Sequence, residues 1–427
     1  MYIRRIVLEN IKGVEELDFQ LTRPDGTQAG WTVFTGDNGS GKTALLKAVS
    51  LALVGLDASR ALQPSMVGWL RVGSAEGVIA LELVHTDDDD SFQSSGKTTK
   101  APFWAEYRLN GGGRVPVLDR GTKYSRKRKT AGRGPWAEDP SGWFSCGYGP
   151  FRRTAGTSPE AQRLMATPGK IERFVTLFRE DAALSECENW LKELKFRSEL
   201  DDASAKEKLE LVVSILDDDL LQNRHRIERI DADGLWLRDA GDRVLPMSDL
   251  SDGYRAALAL MADILRHLIA VFGVKDLASK TQDGGWTVNR SGVILIDEID
   301  VHLHPAWQRT IGFWLKEHLP RMQFLVTTHS PLICQCADPH GLFHLPAPGT
   351  DSRAFRVSEE DRRLVVAAKA DNVLLSPAFA LHHTRSPRAV QGRQRHAELR
   401  AKEAGPGLLP AESAEKRQLE FEFMREE

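Results

Sequence analysis

Apolar residues change their spacing several times along this chain, and each change predicts a different element. The first ten residues, Met1-Tyr2-Ile3-Arg4-Arg5-Ile6-Val7-Leu8-Glu9-Asn10, alternate as a half-buried strand does. Val78–Val84 and Trp104–Leu109 predict two more strands of a small sheet. Trp31–Thr35, Val293–Ile296 and Phe324–Thr328 are apolar or β-branched almost throughout, as strands buried on both faces must be. From about Ser158 to Arg229 the period turns helical. Ser185-x-x-Glu188 and Ser204-x-x-Glu207 have the form of capping boxes there. Trp190, Leu191 and Leu194 share one face, as do Leu209, Val212 and Leu216. No heptad repeat is sustained, so this is a compact helical insert and not a coiled coil. Leu235–Leu237 predicts a strand, and Ala256–Phe272 a strongly apolar helix. Short buried strands alternating with helices predict an α/β fold around a mainly parallel sheet. Beyond Asp351 that pattern is lost; a basic segment, His382–Arg400, precedes a helix expected around Ser413–Phe423.

Between the strand at Trp31–Thr35 and a helix starting near Ala44 lies Gly36-Asp37-Asn38-Gly39-Ser40-Gly41-Lys42-Thr43, a G-x-x-x-x-G-K-[ST] phosphate-binding loop in its required strand–loop–helix frame. Such a unit aims backbone N–H groups and the positive end of a helix dipole at one point, where a polyphosphate fits. Gly36, Asn38, Gly39, Ser40 and Gly41 are the expected cradle, Lys42 the cation that reaches the β- and γ-phosphates, and Thr43 a hydroxyl ligand for Mg²⁺. The strand at Val293–Ile296 ends in Asp297-Glu298. Adjacent carboxylates at a buried strand end are costly unless a cation compensates them. Asp297 is expected to hold the metal, directly or through water, and Glu298 to act as the base for in-line attack on the γ-phosphate. His329, just past another buried strand, is placed to reach the same phosphate.

Composition narrows the setting. With 427 residues and 41% hydrophobic content, the chain can form a large core, and a net charge of −3 announces neither nucleic acid nor membrane. No apolar run is long enough for a transmembrane helix, the N-terminal residues do not read as a signal peptide, and four cysteines make no disulfide framework, so a cytoplasmic protein is expected. Cys334 and Cys336 read as buried thiols. Arg126-Lys127-Arg128-Lys129 is either a solvated surface loop or a phosphate-backbone contact.

The phosphate loop, Leu250-Ser251-Asp252-Gly253-Tyr254, Asp297-Glu298 and Thr328-His329-Ser330 occur in an order that resembles an ABC-type ATPase head. Asp297-Glu298-Ile299-Asp300-Val301-His302-Leu303-His304-Pro305 resembles more specifically the stand-alone ATPases related to RecF, SMC and OLD heads, including Septu-type ATPase subunits of phage-defence systems. The resemblance covers roughly residues 1–55 and 235–345. It implies a P-loop NTPase head with a mainly parallel core sheet, a small antiparallel sheet and a helical insert. Residues 1–157 would form its N-terminal part, 158–232 the insert, 233–350 the C-terminal part and 351–427 a tail suited to partner docking. It further implies that two heads sandwich Mg-ATP, with Ser251 and the Gly253 N–H of one copy gripping the γ-phosphate held by the other. Read without that context, Ser251 is an ordinary helix N-cap. Asp300 and His302 would lie in a loop that contacts the partner copy.

Two departures stand out. The lid glutamine of such heads is not evident; Ser145-Cys146-Gly147-Tyr148-Gly149-Pro150-Phe151-Arg152-Arg153 occupies its place. The tail shows no acidic set for a Toprim domain and no HNH-like cluster, so the expectation is an ATP-hydrolysing, dimerising switch for a separate effector, a nuclease. The alternative is a RecF- or SMC-like DNA-maintenance ATPase in contact with nucleic acid. A transporter subunit is disfavoured by the long separation of Gly36 from Ser251, and a non-hydrolysing scaffold by Glu298.

Overall fold

The computed structural model describes residues 1–93, 101–113, 115–124, 129–151, 156–167, 169–221, 225–347, 349–350, 352–379, 381 and 383–424. Arg126–Arg128, Arg152, Arg153 and His382 therefore lie outside the described residues, as does the side chain of Lys129.

The chain opens with the hairpin β1 (Tyr2–Ile11) and β2 (Val14–Gln20), then β3 (Gly30–Gly36), α1 (Lys42–Val54), α2 (Leu56–Leu62), β4 (Glu76–Val84), β5 (Phe103–Asn110) and β6 (Val117–Arg120). Next come α3 (Lys129–Arg133), β7 (Ser145–Tyr148), α4 (Pro159–Met165), α5 (Val175–Phe178), α6 (Ser185–Glu199) and α7 (Ala203–Leu216). Three strands, β8 (Arg226–Asp231), β9 (Gly234–Arg238) and β10 (Val244–Pro246), lead into α8 (Asp252–Phe272). The small hairpin β11 (Ala278–Lys280) and β12 (Trp286–Val288) precedes β13 (Gly292–Ile296), α9 (Pro305–His318), β14 (Met322–Thr327), α10 (Pro331–Cys334), β15 (Leu342–Leu345) and β16 (Phe355–Arg356). The tail holds α11 (Glu359–Ala367), α12 (Ala370–Leu374), α13 (Pro387–Glu403) and α14 (Pro410–Leu419).

A six-stranded sheet of order β16-β15-β3-β14-β13-β7 forms the centre. From β15 through β7 every pairing is parallel, and only the edge strand β16 runs antiparallel. A five-stranded antiparallel sheet, β2-β1-β4-β5-β6, stands beside it. Alternate residues of the central strands feed two cores. Val293, Leu295, Leu325 and Phe343 join α1, α4, α5 and the antiparallel sheet, whereas Ile294, Ile296, Phe324 and Val326 join α6 to α9. Burial on both faces is why these strands read as unbroken apolar runs. The architecture is a P-loop NTPase α/β fold with the mainly parallel core sheet and small antiparallel sheet that the sequence predicts.

The middle of the chain differs from the sequence expectation. Strand β8 begins inside the stretch read as helical, and Arg226, Ile227 and Arg229 pair with β9 instead. Helices α4 and α5 pack into the core around α1, leaving α6 and α7 as the antiparallel helix pair of the insert. Neither Ser185 nor Ser204 stands at an N-cap. Leu184 is the N-cap of α6 and offers no side-chain cap, while α7 starts at Asp202, whose carboxylate accepts the Ala205 N–H at 3.0 Å. A carboxylate two residues ahead of Ser204 does the same work and is favoured by the helix dipole.

In the tail, α13 and α14 fold against each other. Arg395–Glu415, Lys402–Glu412 and Lys416–Glu403 pair across them, and Phe423 seats on Gly392. Phe421 remains exposed. No described helix is long and apolar enough to cross a membrane.

Candidate nucleotide site

The glycine turn is built as a phosphate cradle requires. Gly36, Gly39 and Gly41 have φ of 143°, 79° and 93°, values that residues with a Cβ rarely adopt. A Cβ on Gly36 would lie 2.2 Å from the Leu345 carbonyl oxygen, so the neighbouring strand also forbids a side chain there. Gly41 caps α1 with no side-chain acceptor, and no acidic residue stands in its first turn. The N–H groups at the start of α1 thus remain available to an external anion. Ser40 Oγ is buried without a hydrogen-bond partner, a second sign that the turn is incomplete without a ligand.

Lys42 is only 6% exposed, and its Nζ donates to the carbonyls of Gly36 at 2.8 Å and Asp37 at 3.0 Å. Burial pushes this ammonium below its usual range, opposed by the nearby charges of Glu298, Asp297, Asp37 and Asp300. The parallel pairing of β3, β14 and β13 explains that proximity, because it brings the ends of all three strands to one edge.

At that edge Asp297 is fully buried, and Thr327 Oγ1 donates to its Oδ1 at 2.5 Å. The same Thr327 oxygen accepts the Glu298 N–H at 2.7 Å. Glu298 has a φ of 45°, left-handed for a non-glycine residue. Burial holds its carboxyl above the usual range, reinforced by Asp297 and Asp300 and opposed by His329 and Lys42. His329 has an exposed side chain, and its N–H reaches Asp300 Oδ1 at 3.3 Å. Lys42, Asp297, Glu298 and His329, predicted separately from sequence, are therefore close enough to act on one another's charge, with Thr43 in the first turn of α1.

Ser251 and Gly253 lie at the start of α8. Ser251 has the backbone conformation of an N-cap, yet its exposed hydroxyl makes no cap hydrogen bond. Gly253 is buried against His302 and Leu303.

Sequence reasoning missed three contributions. Thr327 fixes both carboxylate residues, although its strand position drew attention only as packing. Lys12 has a φ of 51° and rests its Nζ 4.8 Å above the Trp69 ring, while Val14 lies 3.8 Å from the Cβ position of Gly41, so the β1–β2 turn borders the cradle. Tyr148, in the segment expected at the lid position, donates its hydroxyl to Asp263 on α8 at 3.0 Å. Gly13 marks the β1–β2 turn in the sequence, although it is Lys12 that takes the positive φ.

The chain is similar to several known proteins. A family model described as "AAA domain, putative AbiEii toxin, Type IV TA system" matches residues 168–335, and an AAA domain model matches residues 5–115. The Septu protein PtuA of Bacillus mycoides is 25% identical over 78% of this chain and 38% of its own length. The retron Ec83 probable ATPase of Escherichia coli is 38% identical over 25% of this chain and 18% of its own. The Septu protein PtuA of Bacillus thuringiensis is 30% identical over 33% of this chain and 34% of its own. The chain thus spans well under half the length of these relatives. A solved SMC head in complex with a winged-helix domain aligns at a TM-score of 0.45 and 17% identity, covering 85% of this chain and 99% of that one. Two AAA domain models thus match separate parts of this chain, and the chain is similar to Septu PtuA proteins and to a retron probable ATPase.

Proposed function

We propose that this chain binds and hydrolyses Mg-ATP, and that two copies close around the nucleotide to control a separate effector, a nuclease of a defence system, in the cytoplasm. The observation that carries the proposal is the meeting of Lys42, held inside the glycine turn, with Asp297 and Glu298 across the sheet edge.

On this reading the N–H groups of Gly36–Thr43 and the Lys42 ammonium bind the β- and γ-phosphates. Thr43 and Asp297 would hold Mg²⁺; a hydroxyl together with a buried carboxylate is a donor set that fits a hard cation. When bound, the metal neutralises charge on the phosphate oxygens. Glu298 takes a proton from the attacking water, helped by the raised affinity of its carboxyl for protons. His329 would meet the same γ-phosphate.

Ser251 and Gly253 support the dimer reading: among the described residues the Ser251 hydroxyl makes no cap hydrogen bond, which leaves the start of α8 open to a second anion. Sedimentation equilibrium with and without Mg-ATP, run beside a phosphate-release assay, tests both halves. ATP-dependent doubling of mass together with turnover supports the proposal, and a monomer that releases no phosphate contradicts it. The nuclease effector is supported only by likeness to Septu proteins, and co-purification with the product of an adjacent nuclease gene tests it.

A further inference from the structure

The loop after Glu298 touches two parts of the proposed machine at once. On one side, the His302 carbonyl and Leu303 abut Gly253 at the start of α8, the tip assigned to the partner copy's nucleotide. On the other, Asp300 Oδ1 accepts the Thr328 hydroxyl and the His329 N–H, beside the chain's own site.

Gln308, on the first turn of α9, closes the second contact into a ring. Its amide nitrogen donates to the carbonyls of Leu303 at 2.8 Å and Asp300 at 3.3 Å, and its Oε1 accepts the Ser330 hydroxyl at 2.6 Å. Ser330 N–H donates to Thr328 Oγ1 at 2.9 Å, and Thr328 returns to Asp300. The ring Asp300–Thr328–Ser330–Gln308–Asp300 encloses the backbone of His329 without touching its exposed imidazole. Ser330 Oγ also accepts the Leu332 N–H at 3.1 Å, so the donor it gives to Gln308 is its only one. The loop itself is short and internally bonded, Val301 N–H to Glu298 O and Leu303 N–H to Asp300 O.

We propose that Gln308 is a positioning residue: it locks the 300–304 loop to the His329 turn, so that docking of a partner at His302 and Gly253 sets the histidine of the same chain. This rests on the ATP-sandwich reading above and adds to it a route by which one copy's site responds to the other. Phosphate chemistry is steep in geometry, and a misplacement of about 1 Å can cost on the order of a hundredfold in rate. Gln308→Leu removes the amide while keeping its bulk, and Ser330→Ala removes the other end of the same bond.

The test uses the full chain, with nucleotide affinity read by a fluorescent ATP analogue, and turnover read across protein concentration. For Gln308→Leu the expected result is an analogue Kd within about twofold of the parent and kcat lower by about ten- to a hundredfold. Ser330→Ala should show the same split, and the double variant should be no slower than the slower single variant. Parental kcat in Gln308→Leu, losses that multiply in the double variant, or a loss confined to Kd would overturn the proposal. A parent chain that neither dimerises nor turns over would instead remove the sandwich reading, and this inference with it; a parent that does both while Gln308→Leu matches it removes only the inference.

Discussion

The carbonyl oxygen of His302 stands where a side chain on Gly253 would have to go: a Cβ built there lies 2.5 Å from it. Backbone occupies the space, so no rotamer change relieves the clash. His302 itself has a φ of 68°, a left-handed conformation that points this carbonyl at the helix start. Gly253→Ala must shift the start of α8 or the 300–304 loop. We expect ATP affinity of the isolated head to stay within about twofold, because the glycine cradle is untouched, while turnover falls by at least about tenfold. Analogue binding beside phosphate release separates the two effects.

Lys42 has no substitute in the cradle. Its ammonium is buried and satisfied only by the carbonyls of Gly36 and Asp37 until a phosphate arrives. Lys42→Ala removes a buried charge together with the cation that meets the phosphates. Nucleotide affinity should fall by about a hundredfold or more, measured by isothermal titration calorimetry with Mg-ATP. Unchanged affinity would place the nucleotide elsewhere.

Glu298 is held above the usual carboxyl range by burial first and then by Asp297. A raised carboxyl pKa means the ionised form costs the folded state stability. That cost is absent below about pH 4 and sets in as pH rises through the folded-state value. Glu298→Gln should therefore raise Tm at pH 7.5 by about 1–2 °C, a small effect because the group is substantially solvated, and leave it unchanged at pH 4. The same variant should lose about a hundredfold to ten-thousandfold in turnover. A variant that melts like the parent at both pH values would remove the electrostatic half of this account.

Tyr148 and Asp263 join β7 to α8 in a buried cluster with Arg266, His267 and Glu172. Burial alone would raise the Asp263 carboxyl; His267 and Arg266 outweigh it and hold it well below the usual range. A depressed carboxyl pKa contributes stability that is present above the unfolded value near pH 4 and is lost as pH falls through the folded one. The parent's urea midpoint should thus drop steeply between about pH 4 and pH 2. Tyr148→Phe, which leaves Asp263 one donor short, should lower stability by about 1–2 kcal/mol at pH 7, and Asp263→Asn should flatten the acid limb.

What could be read from the sequence was what depends on local pattern. The glycine turn, the carboxylates at the end of β13 and the histidine after β14 follow from residue type and strand frame, and parallel pairing then brings them together. What could not be read depends on contacts between distant segments. Gln308 looks like an ordinary polar residue on a helix, and only the folded loop shows its amide meeting Leu303 and Ser330. Tyr148 meets an acid 115 positions away. The capping box expected at Ser204 failed for a local reason: Asp202 caps α7 two residues earlier, so the helix begins before Ser204.

The central claim is that ATP joins two copies by resting between the Gly36–Thr43 cradle of one and the Ser251–Gly253 tip of the other. The most direct test is the solution mass of Glu298→Gln with Mg-ATP, measured by light scattering, against the same variant carrying Ser251→Arg. The account predicts a dimer for the first and a monomer that still binds ATP for the second. Equal masses for the two, whether both monomer or both dimer, would contradict it.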